Sequence, residues 1–422
     1  MVQRYYIETL GCPKNQVDSD KIAGKLIADG LVATEDASKA DVVVVNTCAF
    51  IEEARKESID TMLSLDGTRK RSSRLIVTGC MAERYGDELA EALPEADQVA
   101  GFGVPLQLTR KPIAVTGEIP KFDLLNLPRP KSTSPWAYVK IAEGCDRSCG
   151  FCAIPSFRGP QRSRDVASIL TEVEQLEVRE VVLIAQDLAS YGKDRPDELG
   201  AGSIVQLVRD VAAMADWVRL LYLYPSDLSD ELIDAILDTG VPYFDLSLQH
   251  ASKEHLRRMK RWGDGPRFLE RIARIRTLSP DAAFRSNFIV GYPGETEEDH
   301  DQLLSFVRDA QLDWCGFFAF SPEDGTHALT LPNRVEEGLM NERLAELREL
   351  QDNISAERRD LLLGETIEVL VDEPGIARSF REAPEIDGVV QVPEHLEVGR
   401  FHTVVVDQVF GPDLIAVEAP GK

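Results

Sequence analysis

The stretch DVVVVNT, residues 41–47, sets the tightest limit on what this chain can become. Four consecutive valines present apolar β-branched side chains to both faces of a strand, which is the mark of a buried strand in a parallel sheet. The flanking segments fit the same plan. RYYIETLG (4–11) and RLIVTG (74–79) read as strands. DSDKIAGKLIADG (18–30) and IEEARKESIDTMLSLDG (51–67) have helical period, the former with Asp18 or Ser19 as N-cap and Gly30 as stop. Residues 1–125 are therefore expected to form an open α/β sheet domain.

NLPRPKSTSP (126–135), rich in proline, serine and basic residues, reads as a linker and boundary. Six strand candidates follow: AYVKIAE (137–143), VVLIAQD (181–187), VRLLYLY (218–224), FDLSLQH (244–250), FRSNFIVG (284–291) and WCGFFAF (314–320). Helical segments such as DVASILTEVEQLEVR and DELIDAILDTG lie between them. Six such units suggest a partial (β/α) barrel instead of a full eight. After a long helix over 334–364 the character changes. TIEVLVD, DGVVQVP and FHTVVVDQVFGPDLIAVEA are short alternating strands with turn signals, the pattern of a small all-β, OB-like barrel over 365–422. The expected domains are 1–125, 131–364 and 365–422.

Seven cysteines is an odd count, which argues against a complete disulfide framework. No apolar signal core opens the chain, and no apolar run approaches the ~20 residues of a membrane span. The expectation is a cytoplasmic protein without membrane contact, in which clustered cysteines serve metals or catalysis. Cys145, Cys149 and Cys152, in EGCDRSCGFCAIPSFRG (143–159), are spaced C-x3-C-x2-C directly after the first barrel strand. Loops at the carboxyl ends of barrel strands build active sites. A structural zinc site takes four closed ligands, whereas three thiolates on a tight loop suit three corners of a [4Fe–4S] cluster. The fourth iron is then open to a small molecule. A zinc knuckle completed by a distant ligand is the alternative. Cys12, Cys48 and Cys80 each fall just beyond the carboxyl end of an expected strand, where α/β sheets bind ligands. A second three-thiolate cluster is expected there, against the alternative of three small buried hydrophobes. Cys315, inside a strand, reads as a core residue.

The C-x3-C-x2-C loop after a first barrel strand resembles the radical S-adenosylmethionine superfamily. Five stretches together resemble its methylthiotransferase family over nearly the whole chain: TLGCPKNQVDSD (9–20), GCDRSCGFCAIPSFRGPQRSR (144–164), IAQDLASYG (184–192), LSLQHASKEHLRRMKR (246–261) and RSNFIVGYPGETEED (285–299). The resemblance implies an N-terminal cluster domain, a radical barrel and a terminal TRAM barrel. GCPKN, AIPSFRG, LQHAS and FSPEDGT (320–326) look like the branch that modifies an aspartate of small-subunit ribosomal protein twelve. The branch that modifies tRNA adenosine typically has N-K-Y for P-K-N and VPYTRG for IPSFRG. A tRNA adenosine methylthiotransferase and a non-enzymatic zinc-binding ribosome-associated protein are the alternatives.

The resemblance further implies two [4Fe–4S] clusters and S-adenosyl-L-methionine. The cluster on Cys145, Cys149 and Cys152 is implied to be catalytic. It binds S-adenosylmethionine at its open iron and yields the radical that removes hydrogen from the aspartate β-carbon. The cluster on Cys12, Cys48 and Cys80 is implied to carry the transferred sulfur, and a second S-adenosylmethionine the methyl. A low-potential donor such as flavodoxin or ferredoxin is implied as electron source. Implied cofactor contacts are Gln186 and Asp187 at the end of the second strand, Gln249 at the end of the fourth, and Gly291, Gly294 and Glu295 near the adenine. Arg158 and Arg164 are candidates to meet a carboxylate. His250 reads equally as a site residue or a hydrogen-bonded scaffold histidine.

Charge bears on the partner. The formal net charge is -25, and an acidic surface repels nucleic-acid phosphates and attracts basic partners. Residues 365–422 hold 12 Asp or Glu against 4 Lys or Arg, a net of -8. An OB-like barrel that grips RNA carries a basic groove, whereas an acidic one suits a basic ribosomal protein. No direct nucleic-acid contact is expected.

Overall fold

The computed structural model describes residues 2–106, 108, 123–200 and 202–419. Residues 1, 107 and 109–122 of the expected 1–125 domain, 201 of 131–364 and 420–422 of 365–422 therefore lie outside the described residues.

The N-terminal region is a five-stranded parallel sheet of β1 (Arg4–Thr9), β2 (Val32–Ala33), β3 (Val42–Thr47), β4 (Arg74–Gly79) and β5 (Gln98–Val99), in the order β2-β1-β3-β4-β5. Every residue of β3 and β4 is buried, as the valine run requires. Helices α1 (Pro13–Ala28), α2 (Glu52–Thr68) and α3 (Cys80–Ala92) follow β1, β3 and β4. The direction of winding reverses between β1 and β3, the switch point at which doubly wound sheets open a crevice.

Helix α1 begins at Pro13, five residues before the expected start, with Cys12 as N-cap. Proline suits the first helical position because its fixed φ is already helical and its missing N–H is not needed there. Asp18 and Ser19, expected as caps, are instead buried inside the helix. The Asp18 carboxylate is turned away to Lys140 of the next domain.

The second region contains β6 (Trp136–Lys140), a short antiparallel pair β7 (Ala142–Glu143) and β8 (Arg162–Ser163), then β9 (Glu180–Ile184), β10 (Trp217–Leu220), β11 (Tyr243–Gln249), β12 (Ala283–Val290) and β13 (Trp314–Ala319). Two parallel sheets, β10-β9-β6 and β11-β12-β13, are joined by a parallel bridge between Leu223 and Leu246. Six strands thus form the partial barrel. Alternate residues serve its two faces. Val139, Leu183, Leu220 and Phe284 pack outward with the helices. Tyr138, Ile184 and Tyr243 face the lumen, where they meet Val17 of α1 and Leu370 and Ala383 of the C-terminal region. The open side of the barrel is therefore filled by its two neighbours.

Charged residues cross these seams in pairs. Glu180 at the start of β9 accepts from Arg219 (2.8 Å) and from Arg378 of the C-terminal region (2.7 Å). Tyr243 donates to Asp387 (2.6 Å). The long helix Glu337–Asp360 leads into a closed barrel of β14 (Thr366–Glu373), β15 (Ile376–Arg378), β16 (Val390–Gln391), β17 (Phe401–Phe410) and β18 (Asp413–Glu418). Among the described residues no helix is long and apolar enough to cross a membrane.

Candidate active site between two cysteine trios

The loop after β7 is shaped by two glycines. Gly144 has φ +79°, and a Cβ there would lie 2.1 Å from the Pro160 carbonyl oxygen. A Cβ on Gly150 would lie 2.5 Å from the Tyr292 hydroxyl. Between them the backbone is pinned, Cys145 N–H to Gly159 O (3.1 Å) and Gly150 N–H to Met259 O (2.7 Å). Two sulfurs accept hydrogen bonds: Cys145 Sγ from the Arg147 N–H (3.4 Å) and Cys149 Sγ from the Arg261 guanidinium (3.3 Å). Burial pushes the free thiol of Cys145 up to about 11 and that of Cys152 up to about 12. Neither sulfur is a thiolate at neutral pH until a metal draws the charge out.

The second trio stands at three strand ends. Cys12 follows β1 and caps α1, Cys48 follows β3, and Cys80 opens α3 after β4. Asn15 ties the ends of β1 and β3 together by donating to Leu10 O (2.7 Å) and Thr47 O (3.0 Å). Gly11 is packed so closely that a Cβ would lie 2.8 Å from Cys48 Cβ. Burial pushes Cys48 up to about 12, and the neighbouring Cys80 and Cys12 add to the rise. Cys80 is raised by burial as well, against the pull of Arg158. The expected convergence of Cys12, Cys48 and Cys80 is therefore present.

The spacing of the sulfurs bears on which metal group suits them. Among the described residues the one trio of His, Cys, Asp or Glu ligand atoms within 4.8 Å of one another is His250, His255 and Glu295. Both thiol trios are spread more widely. A zinc ion with Zn–S bonds of about 2.3 Å would hold its sulfurs about 3.8 Å apart, whereas a cubane cluster separates them on different irons. The wider spread argues against one zinc ion held by all three sulfurs of a trio and is compatible with sulfurs on separate irons. The histidine trio does not suit a metal. Nδ1 of His250 accepts from the Ser252 N–H (3.0 Å) and Nδ1 of His255 from Arg258 (2.9 Å). Each neutral ring then carries its proton on Nε2, the atom a metal would need bare. Burial lowers the pKa of both rings, His255 to about 4. His250 is fully buried and hydrogen-bonded, so the geometry supports its scaffold reading.

A buried charge network lies between the trios. Helix α4 (Ile154–Arg158) carries Phe157 into the core of the N-terminal sheet beside Cys80. The next residue, Arg158, donates to Cys80 Sγ (3.0 Å), Asn15 Oδ1 (2.7 Å) and Glu143 (2.9 Å). Lys140 reaches the same Glu143 (2.7 Å) and Asp18, and Gln186 donates to it (2.6 Å). Burial alone would raise the Glu143 carboxyl, but Arg158 and Lys140 hold it well below the usual carboxylate range. Arg158 and Arg164, expected to meet an incoming carboxylate, are both occupied inside the protein. Arg164 donates to Lys140 O (2.9 Å) and pairs with Glu172 (2.7 Å).

The other expected contacts are placed as follows. Gln186 and Asp187 lie beyond β9, which ends at Ile184, and not in the strand as expected. Asp187 is buried against Arg147 and accepts from Ser190 (2.8 Å). Gln249, the last residue of β11, sits at φ +75° beside a register shift. Such backbone strain in a non-glycine residue clusters at functional sites. Glu295 accepts from the Gly291 N–H (2.6 Å) and from Arg343 (2.8 Å), closing the turn after β12. Gly291 and Gly294 hold that turn at φ +85° and +81°. Cys315 is half-buried in β13 and packs on the barrel core.

Lys14 and Tyr222 were not expected here. Lys14 is buried, and its ammonium lies 3.1 Å from the centre of the Tyr222 ring. Burial lowers its pKa. Tyr222 is held at φ +66° with its N–H donated to Asp245 (2.9 Å). The signal for Lys14 was its place in GCPKN beside Cys12.

Comparison with known proteins agrees with this layout. Residues 4–101 match the model described as uncharacterized protein family UPF0004, 139–307 the radical SAM superfamily, and 363–418 the TRAM domain. The chain is 41% identical to the ribosomal protein uS12 methylthiotransferase RimO of Moorella thermoacetica, across 96% of this chain and 97% of that one. It is 40% identical to the protein of the same description in Streptomyces avermitilis (98% and 96%) and 39% to that in Synechocystis (98% and 97%). Among solved structures it is similar in fold to the radical S-adenosylmethionine methyltransferase TsrM of Kitasatospora setae, solved with cobalamin and a [4Fe–4S] cluster. The TM-score is 0.51 at 12% identity, covering 89% of this chain and 80% of that one.

Proposed function

The chain belongs to the ribosomal protein uS12 methylthiotransferase family, and from that premise we propose that it adds a methylthio group to the β-carbon of an aspartate in uS12, using two [4Fe–4S] clusters and S-adenosyl-L-methionine. The observation that carries this reading is the pairing of two three-cysteine sites, one at the strand ends of the N-terminal parallel sheet and one on the loop after β7, with Arg158 reaching from Cys80 to Glu143, two residues before Cys145. An aspartate β-carbon has no easily removed proton, so acid–base groups alone cannot activate it; when bound, the clusters and S-adenosylmethionine supply the one-electron and sulfur chemistry.

The chain's own residues hold and separate these groups. Cys145, Cys149 and Cys152 hold the cluster that takes S-adenosylmethionine, and no fourth cysteine closes that site. Cys12, Cys48 and Cys80 hold the second. Arg147 and Arg261 give N–H groups to the first set of sulfurs and Arg158 to the second, which favours their anionic form. Gln186 and Asp187 beyond β9 would meet the methionine portion of S-adenosylmethionine, and Gln249 at the end of β11 would contact the same cofactor. Gly291, Gly294 and Glu295 shape the turn after β12, which would lie against the adenine. Buried tyrosines and the C-terminal barrel close the lumen from below and exclude water.

The proposed domains are 1–125, 131–364 and 365–422, acting in the cytoplasm. The net charge of -8 on residues 365–422 suits a basic ribosomal protein, and flavodoxin or ferredoxin suits the need for low-potential electrons. Mass spectrometry of uS12 and of tRNA from a deletion strain tests the assignment. Loss of the methylthio group from uS12, restored by this chain, is expected. Its loss from tRNA with uS12 unchanged would assign the other branch.

A further inference from the structure

Three lysines are buried among the described residues, and two have anions. Lys21 pairs with Glu172 (3.5 Å), and Lys140 with Asp18 and with Glu143 (2.7 Å). Among the described residues Lys14 has neither a carboxylate within 4.0 Å nor a hydrogen-bond acceptor; its ammonium meets the Tyr222 ring. Burying an ammonium without a paired carboxylate is costly, and a cation–π contact offsets only part of that cost. The negative charges that act on it most are Cys12, when that sulfur is anionic, then Asp245 and Glu143, and both carboxylates are already taken. Glu143 is bonded to Arg158 and Lys140, and Asp245 to Arg285 (3.2 Å) and the Tyr222 N–H.

The position is specific. Lys14 lies in the first turn of α1, two residues beyond Cys12, and its tip crosses the seam to the barrel. Its floor is a tyrosine in left-handed conformation just past β10, held there by Asp245. A non-glycine residue fixed in that region persists only where its surroundings over-determine it, and such residues cluster at ligand clamps. The two arginines that the sequence offered for a carboxylate are both engaged elsewhere. The target aspartate, for its part, brings a carboxylate one bond from the carbon to be modified.

We propose that Lys14 is the group that binds the carboxylate of the target aspartate and fixes its β-carbon between the two cysteine trios. This inference rests on the reading of the chain as a uS12 aspartate methylthiotransferase. Lysine donates up to three hydrogen bonds and a full charge, so the site selects aspartate over asparagine by charge and not by shape.

The test uses the anaerobically reconstituted full chain, uS12, and uS12 with the target aspartate changed to asparagine. Dissociation constants are measured for the wild type, Lys14→Met and, as a second neutral variant, Lys14→Gln. The wild type should bind the aspartate form at least about tenfold more tightly, a modest share of what truncating one partner of a buried charge pair costs. The neutral variants should bind both forms alike while keeping the wild-type iron content, and Lys14→Arg should keep a preference for aspartate. An undiminished preference in both neutral variants overturns the proposal. So does a loss of iron in them, which would make Lys14 a support for the cluster on Cys12, Cys48 and Cys80. Failure of the functional reading shows separately, as a wild-type enzyme that leaves uS12 without a methylthio group, and takes this proposal with it.

Discussion

Arg158 places one terminal nitrogen 3.0 Å from the Cys80 sulfur and the other 2.9 Å from Glu143, two residues before Cys145. One guanidinium thus spans from the N-terminal trio to the strand that carries the barrel trio. Its fixed charge and rigid fork let it serve a sulfur and a carboxylate together.

Arg158→Met should damage the N-terminal trio selectively. Glu143 and Asp18 would keep only Lys140 as counter-charge, and breaking a buried pair typically costs about 3–5 kcal/mol. Iron content should fall toward half, with the barrel cluster retained. Iron analysis and denaturant unfolding check this; an unchanged iron content would mean that the Cys80 contact is incidental.

A second buried carboxylate clamps the same two regions together. Glu323, in the loop after β13, is buried and accepts from Arg55 of α2 and Arg84 of α3 (2.7 Å). Glu323→Gln keeps the shape but leaves two arginines without their anion, a loss of about 2–4 kcal/mol by comparison with other buried pairs. Hydrogen exchange in α2 and α3 should rise while the barrel helices stay protected. Uniform exchange across the chain would contradict a clamp at this seam.

Acid should destabilise the protein through the buried histidines. His255 has its pKa lowered by burial from 6.5 to about 4, and His250 moves in the same direction. A base with a depressed folded pKa contributes stability that is fully present above about pH 6.5 and is lost as pH falls toward about 4. The shift at His255 corresponds to about 3 kcal/mol across that window. His255→Gln, which keeps an acceptor for Arg258, should flatten the dependence. Urea unfolding at pH 7, 6 and 5 reads the difference, and equal slopes for wild type and variant would refute it.

The long apolar runs were legible because burial on both faces leaves a continuous β-branched signature. β3, β4 and β9 are buried throughout and rich in valine and isoleucine, the other barrel strands showed through their aromatic and aliphatic residues, and β2, β5 and β15 span only two or three residues and leave no pattern. The start of α1 was misplaced because Asp18 and Ser19 look like caps, yet Pro13 was the stronger signal. The cysteine trios were legible from chemistry and from their shared place after strands. The charges around them were not. Arg158 read as a group awaiting a substrate, but its partners lie 15 residues away at Glu143 and 140 away at Asp18. Glu323 meets Arg55 across 268 residues. Pairing at such separations depends on how domains dock, which no local pattern encodes. Lys14 was missed for a related reason: it lay ahead of the expected helix, and only the docked barrel buries its side chain.

The most direct test of the whole picture is iron and acid-labile sulfide per chain, for the anaerobically reconstituted wild type beside a Cys12→Ala, Cys48→Ala, Cys80→Ala variant. Two four-iron clusters require about eight irons in the wild type and about four in the variant, since each trio ligates one cubane. A variant that keeps eight irons, or a colourless wild type holding zinc, would contradict it.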